Sequence, residues 1–220
     1  MKELENTVHR PSGFDGYICD PAIKTRLLEQ IQAAKVKGLL PPHMLLSGPP
    51  GTGKATLAQL IAKSLDLPTL RFQGCELQSP TQLKELLKIP DYGALLFIDQ
   101  LHAVSKEMAE VLGIIMGDRS FLSPTDPTLT LYLNPHIVIG ATTEPESLAE
   151  SLLKRFPLKF SLPRYTDQEM LVIVKGMAAR MSAAAYTADA LSAIAACSKS
   201  IPRIAGNLIF QVSDNAKAKI

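Results

Sequence analysis

The sequence predicts an α/β fold, a three-layer sandwich with a mainly parallel five-stranded sheet, followed by a small all-helical domain. Three observations carry this. Short apolar runs of strand length alternate with segments of helical periodicity. A glycine-rich turn joins the first such run to a helix, and after Pro163 the strand pattern stops while helices continue.

The elements follow in order. Asp20-Pro21 is an N-cap followed by proline at the first helical position, Ile23, Leu27, Ile31 and Ala34 recur at helical spacing, and Gly38 ends the run. His43 to Ser47 reads as the first strand, Gly48 to Gly53 as the glycine-rich loop, and the helix after it extends through Ser64. Thr69 to Phe72 is a second strand. Ser79-Pro80-Thr81-Gln82 has the capping-box pattern, which predicts a helix to about Lys88. Ala94 to Ile98 is continuously apolar, as a strand buried on both faces must be. A helix over Ser105 to Met116 follows, then a hairpin over Phe121 to Tyr132 around Pro124-Thr125-Asp126-Pro127. His136 to Gly140 and Leu158 to Leu162 complete the strands. Beyond them, Thr166 to Glu169 is a second capping box, and helices are expected near Thr187 to Cys197 and Pro202 to Val212. The division is residues 1–163 for the α/β domain and 164–220 for the helical one.

Composition narrows the function classes. Across 220 residues, 46% are hydrophobic and 20% charged, enough to bury a core and unlike a disordered tail. A net charge of +2 neither demands nor excludes nucleic acid. No apolar run reaches the roughly 18 residues of a spanning helix, and Met1 to Arg10 is polar rather than a secretory leader. Cys19, Cys75 and Cys197 are odd in number and widely spaced, which fits reduced thiols in a cytoplasmic protein.

Two segments carry chemistry. Gly48-Pro49-Pro50-Gly51-Thr52-Gly53-Lys54 fits G-x-x-x-x-G-K between a strand and a helix. There the glycines let backbone N–H groups wrap an anion, the helix N-terminus adds positive dipole, and Lys54 supplies charge for the β/γ-phosphates of ATP or ADP. The plain alternative is a Gly/Pro turn. The position after the lysine should bear a hydroxyl for Mg2+, but it is Ala55; Thr56 is next, turned by roughly 100° around the helix. The second segment, Leu95 to Asp99, is an apolar strand ending in a carboxylate, as a Walker B element does, so Asp99 is the candidate metal-holding residue. A turn or N-cap aspartate is the alternative. Gln100 then stands where a glutamate would polarise water; an amide can hydrogen-bond water but takes no proton at neutral pH.

With these elements and Arg10-Pro11, Tyr17-Ile18, Leu96 to His102, Ile139 to Thr143, Lys154-Arg155-Phe156 and Pro202 to Ala205, the chain resembles the AAA+ motor of the RuvB-type Holliday-junction branch-migration proteins over about residues 9 to 215. The resemblance implies an AAA+ core and lid. It implies Thr143 as sensor 1, Arg155 as an arginine finger reaching a neighbouring subunit's ATP, and Arg203 as sensor 2. It also implies an adenine pocket lined by Arg10, Pro11, Tyr17 and Ile18. A turn threonine and two surface arginines are the ordinary alternatives. The family's C-terminal DNA-engaging domain lies beyond the matched stretch, and the hairpin with Pro124 and Pro127 stands where the family meets its junction-recognising partner.

The resulting expectation is an ATP-binding, oligomeric, RuvB-like protein whose hydrolysis is impaired by Ala55 and Gln100. Its expected partners are further copies of itself, through Arg155, and DNA or a DNA-bound protein, with no membrane. The competing expectations are a non-hydrolysing structural or regulatory subunit and a clamp-loader-like subunit, the latter from Ala141-Thr-Thr-Glu-Pro145.

Overall fold

The structure, a computed structural model, describes residues 10–79, 81–83, 86, 89–123, 126, 128–181 and 186–217, with side chains as far as Ser213. It divides into two compact units. One holds Pro21–Gly48 and Leu57–Ser161; the other gathers the N-terminal segment up to Asp20, the loop Pro49–Thr56 and the chain from Leu162 onward.

The first unit is built on five parallel strands: β1 (Met44–Ser47), β2 (Thr69–Gln73), β3 (Ala94–Asp99), β6 (His136–Thr142) and β7 (Leu158–Ser161). Their order is β2-β3-β6-β1-β7. The interior strands explain the unbroken apolar runs: β6 is buried at every residue and β3 at all but Asp99. Edge strand β7 alternates buried and exposed residues, the pattern of a sheet covered on one face. Because every pairing is parallel, the carboxyl ends of the strands share one edge. The register Met44↔Ile139 through Ser47↔Thr142 and Ala94↔His136 through Ile98↔Gly140 brings Ser47, Asp99 and Thr142 to that edge. Ligands of open α/β sheets bind at such an edge.

Helices follow the periodicity read from the chain. In α1 (Pro21–Lys37), Leu27, Ile31 and Ala34 are the buried stripe, and Gly38 at φ +63° closes it with Leu39 N–H donating to Ala34 O at 3.0 Å. Helix α2 (Lys54–Ser64) begins on the loop lysine, and α3 (Lys106–Asp118) is capped by Ser105, whose Oγ accepts from Met108 N–H at 3.2 Å. A short α4 (Glu150–Leu153) precedes β7. Leu45, Leu96, Ile98, Val138, Leu112 and Phe156 sit in one core, each buried side chain contributing about 1.5–3 kcal/mol. The hairpin is present as β4 (Ser120–Leu122) against β5 (Thr130–Tyr132), with Phe121 opposite Leu131. Pro124, Thr125 and Pro127 of its expected turn lie outside the described residues.

The segment after Ser79 differs from expectation. Residues 81–83 and 86 take tight 3-10 geometry rather than α-helix, and Pro80, Lys84, Glu85, Leu87 and Lys88 lie outside the described residues. The cap is there, but Gln82 makes it: its Oε1 accepts from Gln78 N–H at 2.7 Å and Ser79 N–H at 3.0 Å.

The second unit's helices are α5 (Asp167–Met181), α6 (Ala188–Cys197) and α7 (Pro202–Lys217). The capping box of α5 forms as expected, with Thr166 N–H donating to Glu169 Oε2 at 2.8 Å and Glu169 N–H to Thr166 Oγ1 at 3.2 Å. Met170, Val174, Ile194, Ala205 and Ile209 form its core. No disulfide joins the three cysteines, and among the described residues no helix is long and apolar enough to cross a membrane.

Within the sheet unit, His43 is held in one neutral tautomer. Its Nδ1 accepts from Val138 N–H at 2.9 Å, so Nε2 carries the hydrogen toward Met116 O at 3.0 Å. His136 stacks on it, ring centroids 6.2 Å apart. Burial pushes both imidazoles below their ordinary 6.5. A depressed histidine pKa contributes stability that is fully present above the unfolded value and drains away as pH falls through the folded one, because the unfolded rings take up protons first. The denaturation midpoint is therefore expected to drop between pH 7.5 and 5.5, and a His43→Asn variant should lose part of that slope. A midpoint flat across this range contradicts the assignment.

Candidate phosphate-binding loop and sheet-edge site

The loop Gly48–Gly53 leaves β1 at the carboxyl edge of the sheet, where Gly48 N–H donates to Thr142 O at 3.2 Å. Gly51 and Gly53 adopt φ +82° and +85°, left-handed values that L side chains rarely take. Left-handed turns at alternate residues curl backbone N–H groups toward one side, the form of an anion nest. Space demands glycine as well. A Cβ at 51 would lie 2.8 Å from Ile201 Cγ2, and one at 53 would lie 2.8 Å from the Tyr165 hydroxyl and 3.0 Å from that of Tyr17.

Lys54 turns back into its own loop. Only 9% exposed, it donates from Nζ to Pro49 O at 2.8 Å, and Thr52 Oγ1 donates to the same carbonyl at 3.0 Å. Pro49 and Pro50 stiffen the turn by fixing φ. Ala55 and Thr56 occupy the first turn of α2, both half-buried.

Two phenols fasten the loop from outside. Tyr165 OH donates to Thr52 O at 3.1 Å and Tyr17 OH to Gly53 O at 3.4 Å. Burial drives both pKa values up, that of Tyr165 to about 12 and that of Tyr17 further, so both stay protonated donors. Sequence reading placed Tyr17 in an adenine pocket; here its hydroxyl is on the loop backbone. Tyr165 and Ile201 were not singled out. The available signals were a single aromatic just before a capping box and an apolar residue just before Pro202-Arg203. Ile18 packs beside the helical core, Arg10 and Pro11 are half-buried, and Arg203 is exposed in the first turn of α7. Tyr17, Ile18, the loop from Pro49 to Thr56 and Arg203 thus fall in one unit, while Asp99, Gln100, Thr143 and Arg155 fall in the other.

At the sheet edge, Asp99 Oδ1 accepts from the N–H of Gln100 at 3.0 Å. Gln100 itself is left-handed at φ +53°, ψ +50°, a conformation costing a non-glycine residue about 1–3 kcal/mol and found most often at functional turns. Gly74 lies against its carbonyl so closely that no side chain fits there. Thr142, 1% exposed, accepts from Glu144 N–H at 3.0 Å and contacts His102 Nδ1 at 3.0 Å. His102 Nε2 lies 4.0 Å from Glu144 Oε1. Thr143, the expected sensor, is exposed one residue past β6. Buried Thr142 and its partner His102 lay inside the segments that carry the family resemblance, but only the threonine's inward direction distinguishes it. Arg155 is exposed beyond α4, with its guanidinium along α3. Among the described residues no group of three or more His, Cys, Asp and Glu is placed to hold a metal.

Comparison with known proteins bears on this geometry. The family described as the Holliday junction DNA helicase RuvB P-loop domain matches residues 9–162. The Holliday junction branch migration complex subunit RuvB of Campylobacter jejuni subsp. doylei is 35% identical over 221 residues, 98% of this chain and 66% of its own. That of Kosmotoga olearia is 33% identical over 220 residues, 98% of this chain and 64% of its own. Among solved structures, the Thermotoga maritima RuvB Holliday junction branch migration motor superposes with a TM-score of 0.81 at 31% identity, covering 94% of this chain and 66% of that one. This chain spans just under two thirds of the length of these relatives.

Both phenol bonds should contribute to stability. Tyr165→Phe is expected to lower unfolding free energy by about 1–2 kcal/mol, since it leaves the Thr52 carbonyl without its buried donor. Tyr17→Phe removes the longer bond to Gly53 O together with the hydroxyl's hydrogen bond to Tyr165, and should also destabilise. Urea titration of both variants measures the costs, and unchanged stability in Tyr165→Phe contradicts the assignment.

Proposed function

The chain belongs to the RuvB P-loop family, and from that footing we propose that it binds ATP or ADP through Gly48–Thr56 and hydrolyses it poorly. The observation that carries this is the loop itself, with left-handed Gly51 and Gly53 and a largely buried Lys54 ammonium turned inward. Such a loop fits a di- or triphosphate: backbone N–H groups cradle oxygens, and Lys54 adds a point charge. Bound ATP supplies a γ-phosphoryl group for transfer to water. Arg10, Pro11, Tyr17 and Ile18 are assigned to the base, Thr143 and Arg203 to sensing the phosphates, and Arg155 to a neighbouring copy's nucleotide in a ring or other oligomer. Residues 1–163 act as the core and 164–220 as the lid.

The site fits Mg2+ less well. Ala55 offers no side-chain oxygen, and among the described residues Asp99 is the candidate ligand. Gln100 orients water by hydrogen bonding yet cannot accept its proton, a loss worth about 10²–10⁴ in rate. DNA or a DNA-bound protein is the proposed larger partner, by analogy with the relatives' named role at Holliday junctions. A second reading, a nucleotide-dependent structural or regulatory subunit, is favoured by Ala55 and Gln100 occurring together.

ATP titration and turnover on the chain, on Gln100→Glu and on Ala55→Thr with Gln100→Glu separate these readings. Binding with little turnover is expected, with Gln100→Glu raising the rate at least about 10²-fold. Binding without turnover in all three supports the structural reading. Absence of ATP binding overturns both.

A further inference from the structure

Helix α3 carries two glycines four residues apart, Gly113 and Gly117, which share one face. Glycine is a poor helix residue because it surrenders the most backbone freedom. What lies over this bare face is Arg155. A Cβ at 117 would come 2.5 Å from its Nη1 and 3.3 Å from its Cζ, and one at 113 would lie 3.9 Å from its Nε. The guanidinium therefore occupies the space that a side chain at 117 would need. It also sits at the carboxyl end of α3, which stops at Asp118 with Arg119 left-handed. That end carries the helix's negative pole, to which a cation is drawn.

The backbone of Arg155 is fixed independently. Its N–H donates to Leu152 O at 3.0 Å, and the next residue, Phe156, is 1% exposed within the sheet core. With the Cα held, the side chain's direction is what remains open, and a free arginine loses much rotamer freedom when ordered.

We propose that Gly117 forms a seat that positions the Arg155 guanidinium, so that the finger meets a neighbouring copy's nucleotide already ordered. The inference rests on the reading of Arg155 given above. Gly117 is a positioning residue, and it touches no nucleotide in this account.

Gly117→Ala tests it, because the added methyl meets only the far end of a flexible side chain and improves helix propensity. ATP-dependent self-association, followed by sedimentation velocity, is compared with thermal melts for the unsubstituted chain, Arg155→Ala, Gly117→Ala and Gly113→Ala. Arg155→Ala should abolish association. Gly117→Ala should weaken it about 2- to 10-fold, the factor supplied by ordering one long side chain, with an unchanged or higher melting temperature. Gly113→Ala, whose methyl makes ordinary contact, should behave as the unsubstituted chain. If Gly117→Ala associates normally while Arg155→Ala does not, the seat is wrong and the finger stands. A Gly117→Ala melting temperature that falls with association also overturns the seat, since the glycine then serves the fold. If Arg155→Ala associates normally, or the unsubstituted chain shows no ATP-dependent association, the finger reading fails and the seat with it.

Discussion

The conformation of the loop between β1 and α2 depends on backbone carbonyls held from outside by buried phenols. Tyr165 takes Thr52 O and Tyr17 takes Gly53 O. With those carbonyls drawn outward, the loop is fixed in the left-handed turns of Gly51 and Gly53. Lys54 closes the inner side through Pro49 O. Neither phenol can ionise near neutrality, so both bonds persist across the pH range in which a nucleotide would bind. Rigidity here matters because an anion nest acts by preorganised dipoles, and a loop that had to reorganise around its ligand would forfeit that advantage.

The sheet gathers a second set of candidate residues in the other unit. All-parallel pairing is what gathers Ser47, Asp99 and Thr142, far apart in sequence, at one edge. Asp99 turns its carboxylate to the next amide, and Gln100 is forced into a left-handed turn against Gly74. Thr142, His102 and Glu144 form a polar cluster beside it that ties the end of β6 to the turn after β3.

The fold was legible where sequence pattern and tertiary demand agree. Apolar runs such as Ala94 to Ile98 admit one placement in a buried parallel sheet, and the Thr166–Glu169 capping box marks a helix start by local hydrogen bonding alone. The segment after Ser79 was less legible because Gln82 can cap 3-10 turns as readily as an α-helix. In the candidate site, the glycines and Lys54 were readable because their spacing is dictated by the backbone path. Tyr165, Ile201 and the glycine face under Arg155 were not, since each matters only through a contact with residues far away in the chain. The bond from the Tyr17 hydroxyl to the Gly53 carbonyl was likewise not readable, because no spacing encodes it.

The claim on which the account turns is that the loop is a charge-completed phosphate cradle. Calorimetric titration of ATP and of adenosine against the unsubstituted chain and a Lys54→Met variant tests it most directly. The account predicts that ATP binding weakens at least about tenfold on losing a charge-assisted contact of about 1.5–3 kcal/mol, while adenosine binding is unchanged. Equal ATP affinity in the two proteins would contradict it.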